Sequence, residues 1–207
     1  VKHLAVFCGA GNNAGDGYVV ARLAHEYGLS VTIYQCKVLA DLPAAAQYAA
    51  LMASGAGVEC QPADEPLDGD VELIVDALLG IGLKGAVHGI IASAINQINA
   101  SGLPIVSLDI PSGLNADTGQ VENFCVKAET TLTFIAHKTG MYTGDGPDYC
   151  GNIYCCSIQL DACVAKQQVV ARLLDTTRLA LPLPQRKRNS HKGDYGHVLV
   201  IGGGPGM

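Results

Sequence analysis

The sequence predicts an α/β domain of three layers, α/β/α, built on a mainly parallel sheet. Two observations predict it. Short apolar runs rich in β-branched residues alternate with segments whose apolar positions fall at helical spacing, and the helical segments end on glycines where a C-terminal cap belongs. Repeated strand–helix–strand units imply right-handed crossovers with helices on both faces of the sheet, the Rossmann-like arrangement.

Taken in order, the first strand is HLAVFCG (His3–Gly9), followed by a glycine-rich turn and the helical run DGYVVARLAHEYG beginning at Asp16. SVTIYQC (Ser30–Cys36) is the second strand and PAAAQYAALMASG its helix. VELIVDALLG (Val71–Gly80), GIIASAINQINASG, PIVSLDIPSG (Pro104–Gly113) and TTLTFIA (Thr130–Ala136) continue the alternation. After GNIYCCSIQL the pattern fades. Residues 1–162 are therefore expected as one domain and 163–190, with Leu-Pro-Leu-Pro and a basic cluster, as a linker. Residues 191–207 read as the opening strand and glycine turn of a second domain. The chain starts on Val1 and stops in a glycine turn, so both ends read as cut.

At 207 residues and 49% hydrophobic composition, one sizeable core is available. A formal net charge of -6 argues against a nucleic-acid partner, because binding the phosphate backbone needs clustered Lys and Arg. No apolar run of about 18 residues could span a bilayer and no signal peptide opens the chain, so neither membrane nor secretion is expected. Eight cysteines occur without the paired Cys-x-x-Cys spacing of structural zinc. They read as free thiols in a reducing cytoplasm.

Open parallel sheets bind ligands beyond the carboxyl ends of their strands. Four such places are polar or glycine-rich: Gly9 to Gly17; Asp76 with Gly80-Ile81-Gly82-Leu83-Lys84-Gly85-Ala86; Asp109 with Ser112; and Lys138. The first resembles a dinucleotide loop, but its spacing is G-x-G-x-x-x-G and the second strand ends in Gln35-Cys36-Lys37 without a ribose-binding acid. The other reading is a tight turn needing positive φ. A phosphate cradle needs no side-chain amides, so Asn12 and Asn13 are an excess of oxygen. If Asn13, Asp76 and Ser112 sit over neighbouring strand ends, their oxygens can converge on a hard cation, and one carboxylate favours a monovalent ion. Equally, Asn13 could be a helix cap, Asp76 a turn former and Ser112 part of a Pro-Ser-Gly turn. Asp109 follows an apolar strand directly, where desolvation suits a carboxyl to acid/base work. Lys84 and Lys138 could meet phosphates, although lysines are more often solvated.

GAGNNAGDGYVVAR, VDALLGIGLKG, LDIPSGLNADTG and TLTFIAHKTGM, in this order, resemble the NAD(P)HX epimerase family, the YjeF N-terminal domain of bifunctional NAD(P)H-hydrate repair enzymes. HKGDYGHVLVIGGGPGM resembles the start of that family's ribokinase-like, ADP-dependent dehydratase domain. The resemblance implies epimerisation of hydrated NADH and NADPH, with K+ as the cofactor of the first domain and ADP that of the second. It implies nucleotide binding by Asn12, Asn13, Ala14, Gly15, Asp16, by Gly80, Ile81, Gly82, Leu83, Lys84, Gly85, Ala86 and by Asp109. Asn13, Asp76 and Ser112 are the implied potassium ligands, and Asp109 is expected to be the catalytic acid/base. A homo-oligomer is expected, and the leading helical segment of such families is absent before Val1. The alternative is a non-catalytic nucleotide-binding and dimerisation module of the same fold, as in mRNA decapping enhancers.

Overall fold

Alternation of side chains along a buried strand lays down two cores, one on each face of the sheet. In β1 (His3–Cys8), Leu4, Val6 and Cys8 enter one cluster while Ala5 and Phe7 enter another. The first cluster takes Ala14, Tyr18 and Ala21 from α1 (Asn12–Glu26) and Ala46, Ala49 and Ala53 from α2 (Ala44–Gly55). The second takes Ala94, Ile95 and Ile98 from α3 (Gly89–Ala100). The predicted three layers follow directly: α1 and α2 on one side, α3 on the other.

The computed structural model describes residues 1–160, 162, 166, 169, 171–173 and 188–195. Its sheet has seven strands in the order β3-β2-β1-β4-β5-β6-β7, every neighbouring pair parallel. The central strands are β1, β2 (Ser30–Gln35), β4 (Leu73–Ala77), β5 (Ile105–Leu108) and β6 (Thr130–Phe134), which correspond to the five strand-like runs of the sequence. The edges β3 (Glu59–Pro62) and β7 (Asn152–Cys156) carry mostly exposed residues and so lack the apolar signature of a buried strand. A short helix, α4 (Gly146–Tyr149), precedes β7.

Residues 169–207 form a separate unit, in which a short turn at Lys192–Tyr195 is described, with the His191 amide donating to Asp194 Oδ2 at 3.0 Å. The expected linker and opening of a second domain lie largely outside the described residues. Among the described residues no helix is long and apolar enough to cross a membrane. The seven described cysteines are all free thiols.

Helix α1 begins four residues before the expected Asp16, at Asn12, with Gly11 as its N-cap and no side-chain capping bond. The glycines of this loop do not adopt positive φ, which overturns the tight-turn reading. Two of them are required by close approach. A Cβ on Gly9 would lie 1.7 Å from the Leu78 carbonyl oxygen, and one on Gly17 would lie 2.6 Å from the Ala77 Cβ and 2.8 Å from the Cys8 Sγ. Glycine at position 17 lets the backbone of α1 settle directly onto the short side chains of β1 and β4, and glycine at position 9 lets the preceding loop pass against the Leu78 carbonyl. Gly17→Val is expected to lower stability by about 1–3 kcal/mol through overpacking, read as a shifted urea-unfolding midpoint. An unchanged midpoint would mean that the helix is free to move outward.

Candidate active site

The strand-end residues meet around one buried carboxylate. Asp76, near the end of β4 and paired in register with Phe7 of β1 and Ser107 of β5, is fully buried. Its Oδ2 accepts from Ser107 Oγ (2.8 Å) and the Ser112 amide (2.9 Å); its Oδ1 accepts from Ser112 Oγ (2.5 Å) and the Leu78 amide (3.2 Å). Burial pushes the Asp76 carboxyl above its ordinary range, and these four bonds pull the other way. Ser112 Oγ also accepts from the Leu79 amide at 2.8 Å. The loops leaving β4 and β5 are thereby tied together.

Asn13 joins this node from the first turn of α1. Its Nδ2 donates to the carbonyls of Leu79 (3.0 Å) and Leu108 (3.2 Å). Its Oδ1 is buried and, among the described residues, is the one buried side-chain polar atom without a partner. An orphaned acceptor of this kind calls for a donor or a cation. The three residues expected to gather do gather, but they are not equivalent. Both Asp76 oxygens already accept two bonds each, and Ser112 Oγ keeps a single lone pair. Asn13 is not a helix cap, because Gly11 holds that position.

Asp109 completes the edge. It lies at φ 66°, and Ile135, one strand over, lies at φ 70°. Each is the centre of a γ-turn: the Ile110 amide donates to Leu108 O and the Ala136 amide to Phe134 O, both at 2.8 Å. The left-handed region costs a non-glycine residue about 1–3 kcal/mol, so two neighbouring strands carry the same strained ending. Between them an ion pair forms. Lys138 Nζ donates to Asp109 Oδ1, to Thr133 Oγ1 at 2.7 Å and to Phe134 O at 2.9 Å. The side chains of Lys138 and Asp109 are only 17% and 16% exposed. Lys138, read from the sequence as a lysine that is more often solvated, is instead part of the site, and Asp109 is not an isolated carboxyl in apolar surroundings.

The second Asp109 oxygen, Oδ2, faces Gly80. A Cβ there would sit 3.6 Å from that oxygen and 3.4 Å from the Asn13 Cβ, so Gly80 keeps open the space shared by the two. Asp16, exposed in the second turn of α1, has its carboxyl raised by partial desolvation and then by the Asp109 charge. Asn12, Gly15 and Asp16 also line a groove of about 450 Å³ between α1 and α2, with Val19, Tyr48 and Met52 farther along. Other expected residues contribute less. Ala14 turns its methyl into the core, Leu83 packs toward the α3 side, and Ile81, Gly82, Lys84, Gly85 and Ala86 form an exposed loop. The larger concavity, about 560 Å³, is lined by Asn99, Ile105, Lys127 and Tyr149 among others and contains none of the expected site residues.

The fold is that of a doubly wound α/β domain, and its polar strand-end residues gather at the carboxyl edge of the parallel sheet, where sheets of this class bind ligands. A family profile described as YjeF-related protein N-terminus matches residues 1–140, and the chain belongs to that family. Relatives named bifunctional NAD(P)H-hydrate repair enzyme Nnr include those of Coxiella burnetii, 44% identical over all of this chain and 42% of their own length, and Escherichia coli, 41% identical over 99% of this chain and 40% of theirs. The chain thus spans about two fifths of those relatives. The crystal structure of yeast ynu0 superposes with a TM-score of 0.60 over 70% of this chain and 63% of its own, at 22% identity, which shows the shared fold.

Asp76→Ala would strand donors from β5 and from both loops. It is expected to cost about 3–5 kcal/mol of stability, measured by chemical denaturation. A loss below about 1 kcal/mol would show that the node does not carry the edge.

Proposed function

We propose that this domain interconverts the R and S epimers of NADH or NADPH whose nicotinamide ring has taken up water. The observation that carries the reading is the ion-paired Asp109, facing the Gly80 loop beside the unpartnered Asn13 oxygen. It is supported by alignment of the whole chain with relatives named as NAD(P)H-hydrate repair enzymes.

The epimeric carbon carries both the hydroxyl and the ring nitrogen. Protonation of the hydroxyl lets the nitrogen lone pair expel it as water, and water adding to the opposite face inverts the centre. Asp109 is proposed to exchange the proton: its acid form gives one to the departing oxygen, and the resulting carboxylate recovers one from the incoming water. Within the Asn12–Asp16 stretch, the backbone amides of Asn12, Asn13 and Ala14 suit the phosphates, since the opening amides of a helix lack intrahelical partners. The groove between α1 and α2 suits the nucleotide's less polar part.

A potassium ion fits Asn13 Oδ1 and the remaining lone pair of Ser112, with Asp76 supplying negative charge behind them. Such an ion would fix nucleotide and loops relative to each other. Free thiols throughout the described residues agree with a cytoplasmic setting.

Incubation with chemically hydrated NADH, with the epimer ratio followed by chromatography, is expected to show accelerated equilibration. Asp109→Asn should slow it by about 10²-fold or more with nucleotide binding retained. Equilibration at the uncatalysed rate with the parent protein would overturn the proposal. Replacing potassium by lithium in a binding titration should weaken nucleotide affinity; equal affinity would remove the ion from the site.

A further inference from the structure

We propose that Lys138 is a positioning residue of this site. It ties down Oδ1 of Asp109 so that Oδ2 is the oxygen presented to the substrate, and it supplies the positive charge beside the carboxylate that exists while water is detached from the ring. The proposal rests on the epimerase reading and adds a residue that composition and spacing leave ambiguous.

The geometry supports it at three points. First, the ammonium has three protons and meets three acceptors: Asp109 Oδ1, Thr133 Oγ1 and Phe134 O. No proton remains for a ligand phosphate, which sets aside the other role the sequence allows. Second, the side chain is held from behind by β6 itself. Thr133 and Phe134 are the last residues of that strand, and the γ-turn centred on Ile135 brings the chain round so that Lys138 lies against them. Third, the two oxygens of Asp109 have different surroundings. Oδ1 receives Lys138 and, at 3.4 Å, the Phe134 amide, whereas Oδ2 faces the space that a side chain at Gly80 would fill. A preorganised donor aimed at developing charge in a site 16–17% exposed acts far more strongly than it would in bulk water.

A lysine that binds phosphate and a lysine that positions Asp109 differ in kinetics. Lys138→Met is expected to lower kcat for epimerisation by about 10²-fold with KM changed less than about threefold. Lys138→Arg should recover part of the loss. In a double-mutant cycle, Asp109→Asn with Lys138→Met should be about as slow as Asp109→Asn alone, because the lysine acts through the carboxylate. A raised KM with unchanged kcat, or losses that multiply in the double variant, would overturn the proposal.

A measurement independent of turnover uses the 13C side-chain carboxyl signal of Asp109, assigned by its loss in Asp109→Asn. That signal should move in Lys138→Met, or in Lys138→Gln if the methionine variant does not fold; a signal at the parent position overturns the proposal. Absence of epimerase activity in the parent would refute the proposed function alone, leaving the carboxyl test in force.

Discussion

The carboxyl edge of the sheet depends on a carboxylate buried out of reach of solvent. An ionised group in such a place is tolerated only when its lone pairs are satisfied. Asp76 recruits donors from its own strand end, from β5 and from the loop beyond β5. The bonds that satisfy the charge also hold the loops, so the electrostatic demand and the architecture are the same requirement. Ser112, held by that carboxylate, then fixes Leu79, and the Leu79 carbonyl receives Asn13 from the helix. One unsatisfied carboxylate would loosen three chain segments together.

Much of this was legible beforehand for a reason that is physical. Central parallel strands are buried on both faces and read as apolar runs, and the end of each such run is where polar residues must be explained. Asn13, Asp76, Ser112 and Asp109 could be picked out that way. The edges could not: Glu59–Pro62 and Asn152–Cys156 sit largely in solvent and carry no burial pressure to mark them. The start of α1 is hidden in the sequence because its cap is Gly11, which provides no side-chain signal, and because asparagines ordinarily precede a helix. Lys138 stayed ambiguous because its burial depends on a turn at Ile135, a β-branched residue with no local preference for positive φ.

The matched endings of β5 and β6 show how strain is distributed at this edge. Regular strands would carry Asp109 and Ile135 onward in extended form, away from each other's loops. The two γ-turns reverse that course at staggered places: from the register pair Leu108–Leu132, β5 turns at the next residue and β6 runs on to Phe134 before turning. Hydrogen bonds across the sheet, from the Asp109 amide to the Leu132 carbonyl and from the Ile135 amide to the Cys156 carbonyl, both 2.7 Å, hold the turns in place. The strain is therefore borne by the sheet, and the ion pair lies in the cleft that the turns create.

The close approaches at Gly9 and Gly17 have a mechanical meaning as well. Where a helix rides on side chains, its height above a sheet drifts with every change of rotamer or residue size. Here the helix main chain at Gly17 meets the short Ala77 and Cys8 side chains and the loop at Gly9 meets the Leu78 carbonyl, so the reach of Asn13 toward Leu79 and Leu108 is set by contacts with little rotamer freedom. The distances at the mouth of the sheet are accordingly held by small core residues, and a larger side chain at Cys8 or Ala77 would lift the helix and detune what lies above it.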